Sequence, residues 1–210
     1  MVNNVLKRLR EREVSTINES SYSKLIATLI NDAKDEVENS WDWGALKNTL
    51  SVTTSANAFS YILTGTDQTV ELIDANNDTT NIEMRRASES EMNQWFLSET
   101  PTTAEPYYYS FNGTTADGEA IVDIFPIPNG AYTIRFNIIH RQPDMTSDSD
   151  TTLLPTRPIL MLAYAKAIEE RGEDGGIGAS SAYAAAQKSL NDYISMDAGK
   201  NPENLVWTTV

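Results

Sequence analysis

The strongest constraint in this sequence is that its helical stripes sit at its two ends, separated by residues 46–145, which have a different character. Near the N-terminus, Tyr22, Leu25, Ile26, Leu29, Ile30, Ala33 and Val37 recur at helical spacing and the stripe continues to Trp41, which predicts a helix over 17–40. Thr16 and Glu19 have capping-box spacing at its start. Val5, Leu6 and Leu9 predict a shorter helix over 2–12. Near the other end, Leu160, Ala163, Tyr164, Ala167 and Ile168 predict a helix capped by Thr156, with Pro158 in the first turn, where its missing N–H does no harm. Tyr183, Ala186, Leu190, Tyr193 and Ile194 predict a last helix, stopped by Gly199 in the left-handed C-cap conformation. Amphipathic helices must bury their stripes on a partner, so the two sets pack on each other.

Between them the chain is rich in Thr, Ser and Asn, with short alternating runs. Strands are expected near 49–54, 58–64, 68–74, 80–86, 106–112, 119–126 and 131–141, with turns at Asp74 to Asp78, Asn112-Gly113 and Asn129-Gly130. "DIFPIPNGAYTIRFNIIHRQPD" (123–144) reads as a hairpin, with Tyr132, Ile134, Phe136 and Ile138 on the buried face of its second strand. Ser88 and Glu91 form a second capping box ahead of Met92, Trp95 and Phe96. Residues 143–156 read as a polar linker. The fold class is therefore α+β: a helical bundle formed from both chain ends (1–45 and 150–198), an inserted antiparallel β-sandwich or small barrel (46–145), and a C-terminal tail (199–210).

Residues for chemistry are scarce. The chain has no cysteine, which excludes disulfides, thiolate metal sites and cysteine nucleophiles. Its one histidine, His140, closes a strand beside Arg141, a common surface position. "GEDGGIG" resembles a phosphate loop, but it follows a helix, lacks the Lys-Ser/Thr ending and carries two acids, so it reads as a helix–helix hinge. "DSD" at 148–150 is either a weak calcium site or a solvated turn, and Tyr107–Tyr109 are either a stacking platform or residues alternating between two faces of a strand. Neither enzymatic activity nor a cofactor or metal is expected. The basic N-terminus is not followed by an apolar stretch, so it does not read as a signal peptide, and no run is long enough to span a bilayer. A net charge of −14 disfavours a tight grip on nucleic acid.

An interaction protein remains. Lys7, Arg8, Arg10 and Arg12 form either a contact for an acidic partner or a solvated helix face. Leu205, Val206, Trp207 and Val210 in "ENLVWTTV" are either exposed anchors for a partner or a tail folded back on the bundle.

"SWDWGALK" leading into a strand, "EMRRASESEMNQWF", "PYYYSFNG", the Phe-Pro-x-Pro-Asn-Gly-x-Tyr junction and "LLPTRPILMLAYAKAIEERG" follow one another in an order that resembles the head-to-tail adaptor proteins of short-tailed bacteriophages, the tail tubular protein A or gatekeeper type. The resemblance runs from about residue 17 to 195 and rests on the order of elements. It implies a virion protein assembled in the host cytoplasm, a homo-oligomeric ring of twelve copies between the portal protein and the tail nozzle protein. In that family the bundle and C-terminal segment engage the portal and the β domain faces the tail. DNA would slide through an acidic channel that does not hold it, and no membrane is involved. Two alternatives stay open: a phage tail or capsid-decorating module that binds a glycan on the tyrosines, and a hydrolase using scattered carboxylates.

Overall fold

The computed structural model describes residues 1–66, 70–98, 100–172 and 177–200. The protein divides into two compact units, one made of Met1–Leu46 with the chain from Gln142 onward, the other of Lys47–Arg141. The helices in chain order are α1 (Val2–Arg8), α2 (Ser21–Asn39), α3 (Glu89–Phe96), α4 (Thr156–Arg171) and α5 (Ile177–Ala198). The first unit holds all but α3. Its centre is α4, which packs against α5, α2 and α1. Ile159, Ala163, Ala165 and Ala167 are buried on several sides of α4, and the small alanines allow close approach. From α2 the expected stripe supplies Ile26, Ile30, Ala33 and Val37, all essentially inaccessible.

Several helix ends differ from their sequence signals. The cap of α2 is formed by Ser20 and Ser23, each of whose hydroxyls accepts the other's N–H at 3.0 Å. Glu19 is unavailable because its carboxylate accepts the Ser15 N–H, while its own N–H donates to the Thr16 carbonyl at 3.2 Å. Helix α1 stops at Arg8, two residues before Arg10 turns left-handed at φ 60°. Thr156 gives no cap to α4, whose N-cap is Pro155 without a side-chain bond. The left-handed glycine is Gly172 at φ 62°, which closes α4 by donating to the Ile168 and Glu169 carbonyls. Gly199 follows α5 without a positive φ.

The second unit is an open sandwich. Its strands are β1 (Lys47–Thr53), β2 (Ser60–Leu63), β3 (Val70–Asn77), β4 (Ile82–Glu83), β5 (Arg85–Arg86), β6 (Thr103–Ala104), β7 (Tyr108–Thr114), β8 (Ala120–Phe125), β9 (Ile127–Pro128) and β10 (Thr133–His140). One sheet runs β1-β10-β3-β4 and the other β2-β8-β7-β5; β6 and β9 form a short parallel pair. A single core draws Ile134, Phe136 and Ile138 from the first sheet and Tyr109, Val122 and Ile124 from the second. The expected face of β10 is therefore the buried one.

The expected hairpin is not one. Strands β8 and β10 belong to different sheets, and the Pro-Ile-Pro-Asn-Gly junction, with its cis Phe125–Pro126 bond, carries the chain from one sheet to the other. The expected strand over 80–86 likewise splits at Met84: β4 pairs in one sheet and β5 in the other. Asp74 to Asn77 continue β3, and the turn comes after them, with Asn81 at φ 56°. Asn112-Gly113 lies inside β7, where Gly113 at φ 96° accompanies a register shift between Phe111 and Thr114.

The second capping box forms as the spacing requires. The Glu91 N–H donates to Ser88 Oγ at 3.2 Å, and the Ser88 N–H and hydroxyl donate to Glu91 Oε2 at 2.9 and 2.7 Å. These bonds, the backbone one foremost, lower the Glu91 pKa below its ordinary 4.5. A lowered carboxylate pKa stabilises the fold above the ordinary value, and that support is lost as pH falls through the folded one. Glu91→Gln is therefore expected to lower the melting temperature at neutral pH, with the two proteins converging in acid. A difference independent of pH would refute the charge-assisted cap.

Candidate interaction surfaces

The basic N-terminal cluster divides in two. Val5, Leu6 and Leu9 pin α1 to the helical unit, which fixes where its cations point. Arg8 lies over the Tyr164 ring at 5.7 Å, and Lys7 pairs with Glu13 at 3.1 Å. Arg10 and Arg12 are exposed and make no ion pair among the described residues. The loop carrying them is held at its far end, where Asn3 Nδ2 donates to the Val14 carbonyl at 2.9 Å and the Val14 N–H donates to Asn3 Oδ1 at 3.0 Å. Arg171 holds it from α4: its guanidinium pairs with Glu11, donates to the Leu9 carbonyl at 3.3 Å and to the Tyr22 hydroxyl at 3.0 Å, and covers the Tyr22 ring. Arg10 and Arg12 thus project from a braced loop. Leu205, Val206, Trp207 and Val210 lie outside the described residues.

The first part of the expected 143–156 linker, together with Gln142, is instead strapped to α2. Lys34 is 1% exposed; its ammonium donates to the Gln142 and Pro143 carbonyls at 2.7 and 3.0 Å and lies 3.3 Å from Asp35 and 3.8 Å from Asp144. Glu38 accepts the Gln142 N–H at 3.1 Å, and Asn31 makes reciprocal bonds with the Met145 main chain. Asn31, Lys34 and Glu38 share one face of α2. They are the site residues that the sequence reading missed, because a Lys and a Glu four apart look like a solvated ion pair. Asp148 accepts the Ile17 N–H, and Asp150 accepts those of Thr146 and Ser147, so both acids of the suspected calcium turn are engaged in holding the strap.

The three tyrosines do not form a platform. Tyr109 is in the core, where burial raises its pKa; Tyr108 packs at a tilt against Trp95 with ring centroids 4.9 Å apart; and Tyr107, 39% exposed, leans on Tyr108 at 4.7 Å. Trp95 stacks on Phe125 at 4.9 Å, and Phe96 joins Phe125 to Phe59. This aromatic chain seats α3 on the second sheet. Among the described residues there is no group of three or more His, Asp or Glu able to hold a metal, and no helix is long and apolar enough to cross a membrane.

The profile of the SU10 adaptor protein family matches residues 1–205, and the chain belongs to that family. It is accordingly a structural adaptor protein of a bacteriophage, a component of the virion that interacts with other phage head and tail proteins. No curated protein matches the sequence.

Proposed function

We propose that the protein is a head-to-tail adaptor that forms a ring, of twelve copies in the family it resembles, between the portal and the tail nozzle, with DNA passing through. The observation that carries this reading is the family match over residues 1–205. Two further features support it. A net charge of −14 per copy lines a channel that repels phosphate at short range, within a Debye length of about 8–10 Å at physiological salt. The exposed Arg10 and Arg12, on a loop braced by Arg171, offer a cationic contact for an acidic portal surface. Lys7 and Arg8 position that loop, and Leu205, Val206, Trp207 and Val210 supply apolar contacts in the assembly.

Native mass spectrometry of the full chain, alone and mixed with its portal, tests this. A ring-sized complex with the portal is expected, and a monomer that ignores the portal overturns the reading. Replacing both arginines by Glu is expected to weaken portal binding at least tenfold, more at low salt than at high. Unchanged affinity would remove the N-terminal loop from the interface.

A further inference from the structure

The outer edge of β1 is a row of main-chain donors and acceptors, of which the Thr49 N–H donates to the Asn48 side-chain carbonyl at 2.8 Å. The order β1-β10-β3-β4 puts β1 at one end of its sheet. On the opposite side the two sheets are stitched together by one continuous segment: the Met84 N–H donates to the Ala75 carbonyl and the Arg85 N–H to the Tyr107 carbonyl, both at 2.8 Å. No main-chain hydrogen bond covers the outer edge of β1 among the described residues. Exposed edges are normally blunted by lysines, prolines or bulges. Strand β1 pairs with β10 in unbroken register from Lys47 to Thr53, contains no proline, and has Lys47 as its single charge.

An edge of this kind accepts an extended backbone. The sequence contains a segment suited to it: Asn204 to Val210 (Asn-Leu-Val-Trp-Thr-Thr-Val) is β-branched and aromatic and has no charged side chain. It belongs to the ten residues after Lys200, which lie outside the described residues and can reach roughly 33 Å. In a chain of net −14, an uncharged segment on a nearly uncharged edge is the pairing least opposed by self-repulsion. We infer that the C-terminal segment 204–210 of one copy adds as a strand to the β1 edge of the neighbouring copy. This inference rests on the ring reading. The contact joins two different surfaces, so it propagates from copy to copy and closes by rotation. It makes the tail a link between adaptors, and deleting the tail weakens portal binding by dissolving the ring.

The absence of cysteine gives a clean test. The full chain with Thr49→Cys and Thr208→Cys is assembled with the portal under mild oxidation. A ladder of covalent multimers extending beyond the dimer is expected, with each single variant giving no ladder. Monomers joined only within one chain, or no disulfide at all, overturn the inference. In a second arm, a synthetic peptide of residues 201–210 competes for ring assembly. Methylating the main-chain nitrogens of Leu205, Trp207 and Thr209, or those of Val206, Thr208 and Val210, is expected to abolish competition for one set and spare it for the other, since a strand donates from alternate residues. Equal effects of both sets indicate side-chain docking and overturn the strand. Ring-sized portal complexes without any ladder sink this inference alone, whereas failure to join the portal sinks the adaptor reading.

Discussion

Phe136→Ala is expected to destabilise the sandwich unit by about 3–5 kcal/mol, the range for truncating a fully buried aromatic side chain. Phe136 has no exposed surface and lies on β10, which pairs with β1 on one side and β3 on the other. Its ring meets Tyr109 of the facing sheet edge-on at 6.0 Å, between Ile134 and Ile138. Removing it opens a hole at the centre of the core, and the flanking ladders prevent β10 from collapsing into it. Phe136→Leu, which keeps most of the volume, should cost less than about 1.5 kcal/mol. Denaturant unfolding followed by tyrosine fluorescence separates the two variants; an alanine variant within about 1 kcal/mol of the parent would mean that this core is not close-packed.

Lys34→Met is expected to cost roughly 3 kcal/mol and to free the strap from α2. Methionine preserves the buried stem but leaves the Gln142 and Pro143 carbonyls without their donor, and hydrogen bonds to charged groups contribute about 1.5–3 kcal/mol each. It also removes the ammonium that lies 3.3 Å from Asp35 and 3.8 Å from Asp144. Amide exchange locates the effect. The N–H groups of Gln142, Met145 and Leu153, held by Glu38, Asn31 and the Gln142 side chain, should exchange much faster in the variant. Unchanged protection there would show that the strap is held by other contacts.

Much of this fold was legible in the sequence. The α2 stripe, the alternation in β10 and the Ser88–Glu91 box each follow from a local rule that the surroundings did not override. Pairing was less legible. Pro-Ile-Pro-Asn-Gly announces a change of direction, but turn chemistry is local and does not specify which sheet the next strand joins; here β8 and β10 part company. Met84 is a similar case, where one extended run serves two sheets. Lys34 and Glu38 were illegible for another reason: their burial depends on the main chain of residues more than a hundred positions away, and periodicity carries no information about that distance. Arg10 and Arg12 were found by charge alone, whereas the brace that presents them depends on Arg171.

Lys47 and Ile139 are direct partners on one ladder, and the chain leaves the helical unit before the first and re-enters it just after the second. The two leads of the insertion are thus neighbours, about 5 Å apart at that rung. A module wired this way is interchangeable: it could lengthen its far loops, or be exchanged for another with closely spaced ends, without rerouting the helices. In a lineage of phages, that lets the inserted unit diverge independently of the helical one.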